Sequence, residues 1–207
     1  MYVPAHFAMS PAEQDELLSA VSTVDLISTT PDGLTATFLP MLYDRAAGTL
    51  QGHVARNNPH WRDAGGQSLA IVRGPDAYVS PSWYPSKAEH GRVVPTWNYV
   101  TAHVHGRLVV HDDVDWLRAL VIRLTERHEA AIDSPWSVSD APPAFLDGQL
   151  RAIVGLELVI ERIEAKSKLS QNRSVADQAG VRAALAAGGP DEQAVAELMG
   201  RLDRGDQ

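Results

Sequence analysis

The chain contains no cysteine. Disulfides, thiolate nucleophiles and cysteine-ligated zinc or iron–sulfur centres are therefore excluded. The same absence removes any redox indication of compartment. Long hydrophobic runs are missing too. The longest, Ala152 to Ile160, is short and is interrupted by Glu157, so no helical membrane span is expected. The N-terminal MYVPAHFAMS has neither a basic nor an apolar signal region, and cytoplasm is the expected compartment by elimination. There is also no surplus of positive charge. The formal net charge is −8 over 207 residues, with a pI near 5.4. DNA-binding domains draw much of their affinity from phosphate contacts, so direct DNA binding is disfavoured. Neither GxGxxG nor GxxxxGK[ST] is present, and no GxSxG elbow supports a serine hydrolase.

What is present is ordinary for a globular protein, with 44% apolar and 21% charged residues. The length suits one domain with an appendage. Ser10-Pro11-Ala12-Glu13 is a capping-box pattern opening a helix with Leu17, Leu18 and Val21 on its apolar face. Pro31-Asp32-Gly33 marks a turn. Strand-like segments follow at 34–42, 50–55 and 69–72, the last bounded by Gly65-Gly66 and Gly74-Pro75. In the long segment 93–110, Trp97, Tyr99, Thr101, His103 and His105 share one face, and Asn98, Val100, Ala102 and Val104 the other. Asp113 caps a helix with Leu117, Leu120, Val121 and Leu124 as its stripe. A short helix at about 142–150, a strand over 153–163 and a helical tail complete the order. Four or five strands, then helices and a last strand, without βαβ alternation, predict a mainly β chain with peripheral helices, an α+β barrel or sandwich.

Three clusters carry chemistry. The densest spans Tyr78 to Tyr99 and holds Trp83, Tyr84, Lys87, His90, Trp97 and Asn98 among four backbone-restricting prolines. Its alternative reading is an aromatic loop that closes a barrel end. The second is Gly52-His53-Val54-Ala55-Arg56-Asn57-Asn58-Pro59-His60-Trp61, a strand leaving into a polar turn. Its guanidinium suits a phosphate, and a capped turn with a solvated arginine is the alternative. The third is the basic island Lys166 to Arg173, which reads either as a phosphate seat or as a solvated linker. His103 and His105 stand at chelating spacing on one strand face, but without a carboxylate at ligand spacing no metal is expected.

MYVPAHF, GHVARNNPHW, SPSWYPSKAEHGRVVPTWNY, RAIVG and KSKLSQNR together resemble the PaiB-type family of FMN-binding negative transcriptional regulators. The resemblance covers Met1 to about Leu185. It implies an FMN-binding split β-barrel like that of pyridoxamine-phosphate oxidases, working as a homodimer with FMN at the subunit interface. By the same analogy Thr37 lies beside the flavin ring. His53, Ala55, Arg56 and Asn57 meet the ribityl phosphate, and Trp97, Asn98 and Tyr99 sit near the ring or its substrate face. Lys87 joins from the central motif, and Lys168, Ser170, Gln171 and Asn172 reach the site from the far end of the barrel. Residues 1–165 are expected to form the barrel domain with inserted helices. Residues 166–207 are expected to form a basic segment and helices packing on the barrel or on the partner. Regulation, flavin-dependent oxidoreduction of an unknown substrate, and haem or other planar-ligand binding all remain open functions. Against direct DNA contact, the last helix carries Glu192, Glu197 and Asp203 against Arg201 and Arg204, a poor fit for a phosphate backbone.

Overall fold

The computed structural model describes residues 1–20, 22–62 and 66–205, without the side chains of 203–205. Val21 of the expected helix face and Gly65 of the expected turn lie outside this set. Six strands form the sheet: β1 (Thr23–Thr30), β2 (Gly33–Asp44), β3 (Thr49–Ala55), β4 (Gln67–Val79), β5 (Thr96–His111) and β6 (Ile153–Lys168). They close into a barrel in the order β1-β2-β3-β6-β5-β4. The helices are α1 (Pro11–Ala20), α2 (Ser86–His90), α3 (Val114–Glu129), α4 (Pro143–Arg151), α5 (Val175–Ala186) and α6 (Pro190–Gly205). The mainly β fold with peripheral helices is as expected.

Alternation explains the strands. Val24 and Leu26 of β1, Leu39 and Met41 of β2, Leu50 and Val54 of β3 and Val154, Leu156 and Leu158 of β6 are all buried at every second position. Asn98, Val100, Ala102 and Val104 of β5 are buried on the face expected for them. β1 corrects the sequence reading, which ran the first helix directly into the turn at 31–33. Thr23 to Thr30 is instead a strand paired antiparallel with β2, from Thr23↔Pro40 to Thr30↔Gly33. Only Val24 and Leu26 among its aliphatics are buried, Ile27 is on the other face and the rest are Thr, Asp and Ser, so it carries too weak an apolar signal to stand out from a loop. β6 runs five residues further than expected, so the start of the basic island is a strand and not a linker.

Helix ends follow local chemistry. Ser10 and Glu13 form the expected box: the Ser10 amide donates to Glu13 Oε2 at 2.6 Å and the Glu13 amide to Ser10 Oγ at 3.3 Å. Asp113 Oδ1 accepts from the Trp116 amide at 2.8 Å and opens α3. The buried stripe of α3, Leu120 and Leu124, packs with Leu42 and Trp116. α5 starts at Ser174, whose Oγ accepts from the Asp177 amide at 3.2 Å.

The chain divides into two compact units. Unit 1 comprises Met1–Gln14, Arg73–Ala102 and Glu164–Gln207, and unit 2 comprises Asp15–Val72 and His103–Ile163.

Candidate functional site

Unit 2 holds the polar turn and its strand. Thr37 is on β2, and its Oγ1 lies 2.8 Å from Nδ1 of His60. His60 Nε2 lies 2.8 Å from Ser28 Oγ, and Ser28 Oγ lies 2.7 Å from Ser68 Oγ. Ser28 and Ser68 face each other in the β1–β4 register, which is why the two hydroxyls meet. Asn58 closes the turn: its Oδ1 accepts from the His60 amide at 2.9 Å, and its Nδ2 donates to Thr37 Oγ1 at 3.4 Å. His60 is 1% exposed. Burial lowers its pKa, which keeps the ring neutral, so one ring nitrogen donates and the other accepts. This buried line of hydroxyl, imidazole and hydroxyl is not legible in the sequence, where His60 reads as part of a polar turn.

His53, on β3, is half-buried, and its Nδ1 has no hydrogen-bond partner among the described residues. Burial lowers its pKa as well, so it too is neutral. Ala55 ends the strand and is exposed, as is Asn57. Arg56 has four of its five N–H donors engaged. Its Nη1 donates to Asp112 Oδ2 at 3.0 Å and its Nη2 to Asp112 Oδ1; Nε donates to the Arg151 carbonyl at 2.8 Å and Nη2 to that of Ile153 at 3.0 Å. The hydrogen bond to Asp112 raises the guanidinium's pKa and depresses the carboxyl's.

Unit 1 holds the central motif and the basic island. The motif folds as a tight 3-10 turn at Pro81–Trp83 followed by α2. Lys87 Nζ donates to Ser82 Oγ at 3.1 Å and so closes the loop on itself. α5 docks directly on this loop. Asp177 accepts from the Ser86 amide at 3.1 Å and from its hydroxyl at 2.9 Å. Gly180 allows the approach, because a Cβ there would lie 2.2 Å from the Trp83 carbonyl oxygen. Burial works against the Asp177 charge, but the Ser86 and Ser174 hydrogen bonds outweigh it and hold the carboxyl below its ordinary value.

The island meets β5 at its start. Lys168 Nζ donates to Thr96 Oγ1 at 2.5 Å and to the Trp97 carbonyl. Ser170 Oγ donates to the buried Asn98 Oδ1 at 3.1 Å, and Asn98 Nδ2 lies 3.6 Å from Met199 Sδ. Ser170 is the one described non-glycine residue with positive φ, at 69°. That left-handed conformation is uncommon for serine and marks a constrained turn. Gln171 clamps the turn, accepting from the Leu169 amide at 2.7 Å and donating to the Ser167 carbonyl at 2.6 Å. Asn172 is exposed. Trp97 is half-exposed and meets Tyr78 edge-on at 6.1 Å. The Tyr99 ring lies 5.1 Å from Lys166 Nζ and 5.8 Å from Lys168 Nζ.

Within unit 1, then, Trp97, Asn98, Tyr99, Lys168, Ser170 and Gln171 are brought together, whereas Lys87 is turned toward its own loop. Within unit 2, Thr37 is tied to the turn through His60, and Arg56 is held by Asp112. Lys166 belongs to the unit 1 cluster although it was not singled out among the island's cations. Its two-residue spacing from Lys168 on one strand was the available signal.

A family described as "Putative FMN-binding domain" matches residues 1–162. The chain is 33% identical over 205 residues to protease synthase and sporulation protein PAI 2 of Bacillus subtilis, covering 96% of both chains. It is 31% identical over 162 residues to an uncharacterized protein of Emericella nidulans, covering 65% of this chain and 64% of the other. Among solved structures, a conserved hypothetical protein from Mycobacterium tuberculosis superimposes with a TM-score of 0.60 at 14% identity, covering 84% of this chain and 97% of the other. The flavocytochrome Anf3 from Azotobacter vinelandii gives 0.55 at 13% identity, covering 80% and 72%. These structural likenesses carry the barrel fold and nothing finer. The sequence matches carry the family, and the chain belongs to the FMN-binding domain family, with the Bacillus PAI 2 protein among its relatives.

Proposed function

We propose that this protein binds FMN as a homodimer and works through the redox state of that cofactor. The observation that carries the reading is the extent of the family match, which runs over β1 to β5 and most of β6. The side chains also suit a flavin chemically. Its ring edge needs hydrogen-bonding groups, and unit 2 has a neutral His53 with an unpartnered Nδ1 and a Thr37 hydroxyl held by His60. Its ring needs flat apolar surface, and unit 1 has Trp97 and Tyr99. Bound FMN would supply the electron transfer, and the protein would orient and tune it. The proposed contacts are Thr37, His53, Ala55, Arg56 and Asn57 in unit 2, and Lys87, Trp97, Asn98, Tyr99, Lys168, Ser170, Gln171 and Asn172 in unit 1.

The test is the visible spectrum of the purified protein, with and without added FMN, beside its thermal midpoint. Flavin absorption bands and an FMN-induced rise in midpoint are expected. Absence of both discards the reading, and a Soret band in their place assigns haem.

The dimer reading rests on β2. Leu34, Ala36, Phe38 and Pro40 are successive residues of one strand face, and all are exposed, Leu34 at 79% and Phe38 at 69%. An apolar strip of this kind on a barrel strand suits a twofold partner. Sedimentation should give a dimer that Phe38→Asp dissociates. Of the roles open to a bound flavin, oxidoreduction fits better than direct operator binding, because α6 begins with Asp191 and Glu192. A salt-sensitive gel shift at micromolar protein would reverse that preference.

A further inference from the structure

Lys166 is a cation without an anion. It is 8% exposed, and its ammonium makes no hydrogen bond or ion pair with any described residue. What surrounds it is aromatic. The ring centroids of Tyr99, Phe7 and Tyr2 lie 5.1, 5.8 and 5.9 Å from Nζ. Lys168 lies on the same strand two residues on, so both side chains leave β6 on one face. Its ammonium is also within 5.8 Å of the Tyr99 ring, and its two hydrogen bonds to Thr96 and Trp97 leave a third N–H over. The carboxylates of the neighbourhood are committed elsewhere. Glu164, two residues before Lys166, accepts from the Met1 ammonium at 2.5 Å, and Asp177 is held by Ser86.

Two ammonium groups beside one ring, one on a buried and one on a half-buried lysine, repel each other. Burial, then Lys166, then Arg173 push the pKa of Lys168 down. A carboxylate paired with either lysine would relieve this, yet among the described residues neither makes such a pair, Glu164 being taken by the Met1 ammonium. The surroundings hold the lysines in place. The Gln171 clamp and the left-handed Ser170, hydrogen-bonded to buried Asn98, fix the end of β6. Such an arrangement is stabilised by an anion that arrives from outside, and the ring beside it favours an anion carried on a planar molecule.

We infer that Lys166 and Lys168, with the Tyr99 ring, form an oxyanion site for the carboxylate or phosphate of a planar acid. That acid is the second reactant, and the flavin's own phosphate binds elsewhere. The role of second reactant rests on the flavin reading; the anion binding does not. The neutral alcohol corresponding to such an acid is rejected, because two ammonium groups gain nothing from it.

The experiment titrates the full-length protein, with and without FMN, with benzoate, phenyl phosphate and benzyl alcohol by calorimetry. FMN and riboflavin affinities are measured in parallel. Benzoate and phenyl phosphate should bind saturably, and benzyl alcohol should not. Lys166→Met should weaken both acids at least tenfold, and Lys166→Arg should restore most of that loss, which separates charge from packing. Neither change should alter the FMN or riboflavin affinity more than twofold. No saturable acid binding, or equal binding by Lys166→Met, overturns the site. A Lys166→Met protein that binds FMN no better than riboflavin also overturns it, since the lysines then hold the flavin phosphate. A wild-type protein that binds the acids but no flavin leaves the site standing and sinks the flavin reading instead.

Discussion

Arg56 of unit 2 and Lys166 of unit 1 are both cations in a chain of net charge −8, and both lie in stretches that suit a phosphate. Their structural situations are opposite. Arg56 is exposed enough to be solvated, yet four of its five N–H donors are taken by Asp112 and two main-chain carbonyls. Lys166 is nearly inaccessible and has aromatic faces in place of partners. The difference teaches that a basic residue in a sequence announces charge, not availability. Availability is decided by what the fold brings alongside. Unit 1 leaves its charge uncompensated, and unit 2 compensates its charge and leaves a neutral imidazole unpartnered instead.

The contrast depends first on unit 1 being held together by α5. Gly180→Ala puts a methyl group 2.2 Å from the backbone oxygen of Trp83, which cannot step aside without moving the loop. A loss of about 3 kcal/mol is expected, at the upper end of overpacking costs. Urea unfolding measures it. Gly155→Ala is the matched change in unit 2. Its methyl would also meet an atom at 2.2 Å, but that atom belongs to the Trp116 side chain and not to backbone. The smaller of the two losses belongs there, at about 1–2 kcal/mol. Equal losses would show that the loop yields as easily as a side chain.

Acid separates the units next. The folded pKa of His60 is lowered by burial, so the unfolded chain binds its proton more readily. The stability this confers is complete above the unfolded value, about 6.5, and is lost as pH falls from there toward the folded value. The slope from one such group reaches at most about 1.4 kcal/mol per pH unit. His53 adds a contribution of the same sign. His60→Gln should therefore flatten the decline below pH 6.5 without abolishing it. Asp177 behaves differently. Its folded pKa is depressed, so its contribution is full above the ordinary carboxylate value, about 3.9, and disappears as pH falls below it. Unfolding monitored between pH 7 and 3 should show the histidine loss first. A midpoint flat from pH 7 to 5 would refute the assignment to the histidines.

Much of the fold was legible in the sequence because periodicity reports burial directly. Val100, Ala102 and Val104 alternate with polar residues, and the barrel buries them. The capping box at Ser10 and the cap at Asp113 are local chemistry, readable within four residues. β1 was not legible, since a strand with two buried aliphatics is recognised only through its partners on β2 and β4. The site divides in the same way. Lys168, Ser170 and Asn98 are visible as motif residues, and the structure brings them together across a sequence separation that no local pattern spans. His60 was hidden for the opposite reason. Its neighbours Asn57, Asn58 and Pro59 are turn formers, and its burial comes from Ser28 and Thr37, which are remote in sequence.

Removing each cation in turn sharpens the comparison at a smaller scale. Lys166→Met should raise the stability of the ligand-free protein by about 1 kcal/mol, because a buried charge without a paired carboxylate is replaced by a thioether suited to aromatic surroundings. For a chain of this size that is a rise in thermal midpoint of roughly 2–4 °C. Arg56→Met should lower the midpoint, because it leaves Asp112 and the Arg151 and Ile153 carbonyls without their donor. Opposite signs support the contrast, and a fall in both would mean that the Lys166 ammonium already has a compensating partner in solution.

The finest distinction concerns whether Arg56 can still serve a phosphate. Asp112 and a phosphate would compete for the same guanidinium edge, since each presents oxygens to Nη1 and Nη2. Asp112→Asn keeps the shape but removes the charge, so the guanidinium is released toward solvent without being deleted. If the ribityl phosphate sits at Arg56, FMN should bind about two- to fivefold more tightly to Asp112→Asn, a gain within the range of an exposed ion pair. Riboflavin, which has no phosphate, should be indifferent to the change. Fluorescence titration of both flavins measures the ratio. An unchanged ratio would remove Arg56 from the phosphate site and leave it as the tie that joins the end of β3 to the starts of α3 and β6, held by Asp112 and Ile153.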